Sequence, residues 1–254
     1  MQLLNNKKFK GLELCTRYAF MPNKLSYCGG DKNSELFEYG VRGKSDPFLA
    51  SILGEFETLY PYLRLIADNN KIRDLFDYRV VEAYWIGNPL LNNSNVSNVS
   101  KFYWHLIDNL KIKKKVKPET FESIAGKLPK GMLPHHNFHV LNVWIRTGHL
   151  AITHTLNTMN KCRIGWGKVT KVNSSSLEVM SPALIYVDDI LKLSEPQRIT
   201  VNHKFSDRGF VEPKVNDLVS LHWDFVCDII TKEQMINLHK YTLEAIVLAN
   251  LDKK

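Results

Sequence analysis

The feature that most constrains this chain is a change of hydrophobic period near residue 160. Before it, apolar residues recur every three or four positions, as on one face of an α-helix; after it they alternate, as on a half-buried strand. A chain that switches period once should segregate its helices from its strands, the α+β arrangement. The sequence therefore predicts a helical N-terminal domain over residues 1–160 and a small β-barrel domain with a closing helix over 161–254.

In the first part, Ser51–Asn69 puts Ile52, Leu53, Phe56, Leu59, Leu63 and Ile66 on one helical face, with a bend expected at Pro61. Asp77–Gly87 gives a second helix stopped by Asn88-Pro89, Lys101–Leu110 a third, Pro118–Ala125 a short fourth and Asn137–Asn157 a long last one. Past Cys162, Gly165-Trp-Gly167 breaks any helix and Lys168–Val172 begins to alternate. Further strands are expected at Leu177–Met180, Ala183–Val187, Gln197–His203, Leu218–Leu221 and Phe225–Ile230. Thr231, with Gln234 three residues on, is a capping-box signature for a final helix over Lys232–Leu251. Five or six short strands and a C-terminal helix make a small, partly open barrel of the OB-like kind.

With 44% hydrophobic and 11% aromatic residues, the 254-residue chain can bury a substantial core. Apolar runs such as Ala245–Ala249 are too short to span a bilayer, and the N-terminal residues lack the order of a signal peptide. A cytoplasmic protein with no membrane partner is the expectation. The net charge of +8 is uneven: residues 1–160 carry 21 Lys/Arg against 14 Asp/Glu, residues 161–254 carry 13 against 12. The excess includes Lys111–Lys117, which reads as a solvated loop. Nucleic-acid binding through the barrel and this loop is disfavoured, because the barrel half is nearly neutral. Cys15, Cys28, Cys162 and Cys227 are scattered without a Cys-x-x-Cys, which suits neither a zinc ribbon nor a disulfide scaffold.

Five of the nine histidines fall between Pro134 and His154. His135 and His139, four apart, share a helical face that His136 does not. Together with His149 and His154, and with Glu55 and Glu82 from neighbouring helices, they are candidates for a histidine–carboxylate pocket. Eight residues separate His154 from Cys162, at most ~28 Å of extended chain. The partial negative charge of a helix C-terminus there would favour a cation beside the thiol.

Cys162-Arg-Ile-Gly-Trp-Gly-Lys-Val169 is followed about fifty residues later by Asn216-Asp-Leu-Val-Ser-Leu-His-Trp-Asp-Phe-Val226. This pairing of a strand-leading cysteine with a strand-borne histidine resembles the HypC/HupF family of hydrogenase-maturation chaperones. Those proteins begin Met-Cys-Leu-Ala-Ile-Pro-Gly-Lys-Val and later read Gly-Asp-Tyr-Val-Leu-Val-His-Ala-Gly-Phe-Ala. The resemblance covers roughly the last 90 residues and none of the first 160. It implies that Cys162 and His222 are metal ligands and that the metal is iron, carried in that family as an Fe(CN)2CO unit. The partners it implies are a maturation scaffold protein and the precursor of the [NiFe] hydrogenase large subunit. The function implied is assembly or delivery of an iron centre. The alternative is an iron-dependent enzyme seated in the helical part, with the barrel as a docking module.

The residues suit that chemistry on their own terms. A thiolate is a soft, strongly donating ligand, and neutral imidazole suits iron, nickel and zinc. Lys161, Arg163 and Lys168 surround Cys162 with positive charge that favours the thiolate. Two bulky residues where the family has small ones, Trp166 and Trp223, are expected to close over the site.

Overall fold

The computed structural model describes residues 2–93, 122, 126–143 and 153–252. Helices α1 (Gln2–Lys24), α2 (Asn33–Arg42), α3 (Pro47–Gly54), α4 (Leu59–Asn69) and α5 (Tyr78–Trp85) form the first layer. Two of them start on aspartates that satisfy orphan amides. Asp46 accepts from the Leu49 amide at 2.9 Å, with Pro47 in the first turn, and Asp77 accepts from the Arg79 amide at 3.0 Å. The single bent helix expected over Ser51–Asn69 is two helices. The break falls at residues 55–58, ahead of Pro61, which sits in the first turn of α4 where its missing N–H has no partner to lose. Helix α1 lies hard against the entry to α5: a Cβ on Gly11 would stand 1.9 Å from the Phe76 carbonyl oxygen, so only glycine permits the approach.

The long helix expected over Asn137–Asn157 does not form as one element. A three-residue turn, α6 (His136–Phe138), passes into a π-helical turn at His139–Val143. A new helix, α7 (Leu156–Cys162), starts where Thr155 and Thr158 cap one another reciprocally. Cys162 therefore closes a helix and does not lead a strand. The chain becomes extended at Arg163, and the first strand begins at Gly165. The helix expected at Lys101–Leu110, the Lys111–Lys117 run and, but for Glu122, the helix expected at Pro118–Ala125 lie outside the described residues.

The strands are β1 (Gly165–Val172), β2 (Ser176–Ser181), β3 (Leu184–Val187), β4 (Ile190–Leu193), β5 (Gln197–Asn202), β6 (Leu218–His222) and β7 (Phe225–Ile229). Five close into a barrel in the order β1-β2-β5-β7-β6, with β3 and β4 set apart as a hairpin. The barrel expected to be partly open is shut by antiparallel pairing of β1 with β6. Strand β4 carries no alternation that announces it; Asp188 and Asp189, both with left-handed backbone, turn the chain back from β3.

Val169, Leu177, Val179, Val201, Val219, Leu221 and Val226 fill the barrel interior. Alternation along β6 then puts Ser220 and His222 on its outer face. That face is not solvated, because α1 covers it: all of Val219–His222 are buried. The Tyr18 hydroxyl meets Ser220 Oγ at 2.7 Å, and Phe20 packs edge-on against Phe210 and Phe225. The core of the helical layer thus continues over the outside of the barrel through Trp166, Trp223, Phe225 and Cys227. The last helix, α8 (Lys232–Ala249), opens with the Thr231–Gln234 capping box. It packs so closely on the turn that follows α5 that a Cβ on Gly87, at φ +94°, would fall 2.0 Å from the Tyr241 ring. Among the described residues, no helix is long and apolar enough to cross a membrane.

Candidate metal centre

His222 is the last residue of β6, and the chain turns at once. Trp223 and Asp224 have φ of +54° and +58°, and His222 pairs with Phe225, so the connection is a two-residue hairpin of the I′ kind. A tryptophan in that region is sterically strained, by roughly 1–2 kcal/mol. It is held there by its amide, which donates to the Lys161 carbonyl at 2.7 Å, and by its ring, 4.7 Å from that of Tyr27. Lys161 and Asp224 add an ion pair at 2.6 Å. These contacts press the end of α7 against the end of β6, which brings Cys162 beside His222.

Asn137 supplies the third element. Its carboxamide accepts from the Ile164 amide at 2.6 Å and donates to the Ile164 carbonyl at 3.0 Å and to Thr242 Oγ1 at 2.8 Å. Helix α6 is thereby docked on the link between α7 and β1, and His136 Nε2 lies 2.9 Å from the Cys162 carbonyl oxygen. Among the described residues, His136, Cys162 and His222 form a group whose ligand atoms all lie within 4.8 Å of one another, with all three side chains buried. Sulfur–nitrogen and nitrogen–nitrogen pairs around a tetrahedral ion stand about 3.3–3.6 Å apart. Closing the group therefore takes movements of about 1.4 Å or less.

Because a carbonyl oxygen only accepts, the hydrogen bonds assign the ring protons. His222 Nδ1–H donates to the Tyr18 carbonyl at 2.8 Å, which leaves the lone pair on Nε2. His136 Nε2–H donates to the Cys162 carbonyl, and its Nδ1 accepts from the Tyr84 hydroxyl at 3.1 Å. Coordination by His136 requires it to release one of these partners, and Tyr84 is the one whose release needs no proton transfer. Burial holds the pKa of His136 well below its ordinary value, with His222 acting in the same direction and the Cys162 carbonyl opposing. The ring is therefore neutral, the form that binds metal. Trp85 flanks both histidines, at 4.7 Å from His136 and 5.8 Å from His222, and Tyr18 stacks on Trp85 at 5.4 Å.

Residues 7–254 match a family described as a family of unknown function (DUF6390). The chain belongs to that family. Its extent takes in the helices and the barrel together, in keeping with the core they share. No curated protein and no solved structure matches the chain at a significant level.

The other candidate residues of this DUF6390 chain lie elsewhere. His135 is the N-cap of α6, its Nδ1 accepting from the Asn137 amide at 3.2 Å, and burial pushes its pKa down to about 3. His139 meets the Tyr62 hydroxyl at 3.0 Å. His154 is half-buried in the segment ahead of α7, and His149 lies outside the described residues. Glu55 is exposed at the end of α3, while Glu82 accepts from Asn88 at 2.9 Å and Gln234 at 2.7 Å. None of these five described residues joins the group of three.

His136, set aside on helical spacing, is the histidine that does join. Helical spacing separates His136 from its neighbours only on a regular helix, whereas the segment is one short turn followed by a π-helical one. The density of histidines was the only signal in the sequence that pointed there. Of the two tryptophans, Trp223 packs on Tyr27 beside the group, whereas Trp166 contacts His239 and the Arg163 guanidinium, each at 5.5 Å. Cys15 and Cys227 are fully buried thiols. Burial pushes the first up to about 12 and the second well above its ordinary value, so both stay protonated and unreactive.

Proposed function

We propose that this protein binds a transition-metal ion through Cys162, His222 and His136, and that it is a cytoplasmic factor for assembling or delivering an iron centre. Its partner would be the precursor of the [NiFe] hydrogenase large subunit or a maturation scaffold protein. The observation that carries the metal reading is the convergence of one thiol and two imidazoles in a buried pocket. The tautomer set by the Tyr18 carbonyl, with the proton on His222 Nδ1, supports it, and three protein donors leave a coordination position for a further ligand. A thiolate with two imidazoles suits iron, nickel and zinc alike. Iron and hydrogenase therefore rest on the likeness of Cys162–Val169 and Asp217–His222 to the HypC/HupF motifs.

A second reading is a resident iron centre belonging to an enzyme. What favours it is enclosure: His222 is 1% exposed and Cys162 6%, under a layer of aromatic rings. A factor that hands its metal on must open that layer.

The test is metal analysis of protein purified without oxygen. About one equivalent of iron is expected in the wild type, with most of it lost in Cys162→Ser and in His222→Gln while circular dichroism is unchanged. Binding of zinc alone would remove iron from the proposal, and absence of any first-row metal would end it. Transfer to a chelator within minutes supports delivery; retention for hours supports a resident centre.

A further inference from the structure

We infer that a second site, at the end of the barrel beside Arg163, binds a small monovalent anion of about the size of formate. Arg163 is 2% exposed and among the largest fully buried side chains. Its Nε donates to Asn160 Oδ1 at 3.1 Å, its Nη2 donates to the Pro182 carbonyl at 2.5 Å, and its Cζ lies 5.5 Å from the Trp166 ring. All of these are neutral groups. Nη1 is buried and, among the described residues, has no hydrogen-bond partner. A charged N–H shut away from water and left unpaired is among the costliest arrangements in a protein interior, and it persists where something absent completes it.

Nη1 faces a void. A cavity of about 40 Å³ is lined by Arg163, Gly165, Ser181, Pro182, Leu221 and Trp223, among others. A Cβ built on Gly165 would meet Nη1 at 3.5 Å and Leu221 Cβ at 3.7 Å, so the guanidinium and the open side of the glycine share that space. The volume admits roughly three water-sized groups. Formate or a halide with one water fits it, and sulfate does not. Charge selects in the same direction. Lys161, at the rim, is neutralised by Asp224 at 2.6 Å, which leaves the single charge of Arg163 for the ligand. Ser181 is buried in the wall and offers a second donor. The apolar remainder, Leu221 with Ile199 and Val201, keeps the dielectric low and strengthens the charge-assisted bond. Neither the site nor its ligand depends on metal at Cys162.

Thermal unfolding of the intact protein in sodium formate, chloride and sulfate at matched ionic strength tests this. Formate should raise the midpoint saturably, and sulfate should give only the response common to salts. A saturable response to chloride as well would assign a general monoanion site, and tighter binding of formate a carboxylate site. Gly165→Ala fills the void at ordinary contact distances and leaves both guanidinium hydrogen bonds in place. It should fold and lose at least tenfold in formate affinity, and Arg163→Gln should abolish the response. Absence of saturation by either monoanion in the wild type, or an undiminished formate response in Gly165→Ala, overturns the inference. The alanine variant decides the matter even where Arg163→Gln fails to fold.

Discussion

The Nδ1–H of His222 donates to the main-chain carbonyl of Tyr18 at 2.8 Å, across 204 positions of sequence. The first helix therefore sets the tautomer of a histidine on the sixth strand, and with it the nitrogen that can take a metal. Because the acceptor belongs to the backbone, the bond depends on where α1 lies and not on what residue 18 is.

The same packing implies that residues 161–254 do not stand alone. Without the helical layer, the outer face bearing Trp166, Trp223, Phe225 and Cys227 would meet water. The isolated fragment is expected to show no cooperative thermal transition and a poorly dispersed amide spectrum. A transition like that of the full chain would mean the barrel is independent of its cover.

Tyr84→Phe should tighten metal binding. The Tyr84 hydroxyl competes for His136 Nδ1, and removing a hydrogen bond worth about 0.5–1.5 kcal/mol corresponds to roughly a two- to tenfold gain in affinity. The metal-free variant should also be less stable, since a buried nitrogen is left unmatched. Competition against a chelator of known affinity measures the first effect; weaker binding would show that the hydroxyl orients the ligand instead of blocking it.

The turn after His222 predicts opposite signs at adjacent positions. Asp224 is half-exposed, its ion pair with Lys161 is worth little, and glycine relieves its left-handed backbone, so Asp224→Gly should be neutral or stabilise by about 0.5–1 kcal/mol. Trp223→Gly relieves the same strain but empties the space against Tyr27, and should destabilise by about 2 kcal/mol or more. Urea midpoints compare the two, and equal effects would remove the distinction.

Stability of the metal-free protein should fall with acid below neutrality. His135 and His136 are fully buried, with pKa values lowered by desolvation from 6.5, to about 3 in the case of His135. The unfolded chain then binds more protons than the folded one as pH drops below 6.5. Stability present above that value is lost toward pH 3 through His135, at roughly 1.4 kcal/mol per pH unit, and His136 acts in the same direction. Denaturation series at pH 7, 6 and 5 check this. A flat profile would mean that the rings are protonated in the folded state or reached by water.

Much of the fold was legible because it rests on local signals. The Thr231–Gln234 box, the alternation through Leu177–Met180 and the apolar face of Val80–Trp85 each declare themselves within a dozen residues, and the apolar spacing of Ile52–Ile66 shows helix there though not the break between α3 and α4. Helix α7 was obscured because its cap, Thr155 with Thr158, is a weaker pattern than the histidine-rich run in front of it. The site was half legible. Cys162 and His222 stand out by their surroundings in sequence, whereas His136 is placed by the grip of Asn137 on Ile164 and Thr242. That contact spans both halves of the chain, and no spacing rule reaches it. The tyrosine hydroxyls of Tyr62 and Tyr84 occupy the partner role expected of carboxylates, since a neutral phenol is far cheaper to bury than Glu55 or Glu82 would be.

The approach at Gly11 has a consequence for when and how a metal could be loaded. The group draws on residues 136, 162 and 222, and on a carbonyl at position 18 that is in place only if α1 is seated on Phe76. A nascent chain still lacking residue 222 has no centre to fill, and neither has a finished one whose first helix has come away. Occupancy would then act as a checkpoint on synthesis and folding together, with bound metal favouring the completed chain by mass action. Gly11→Ala, which alters none of the three candidate ligands, would register as loss of metal.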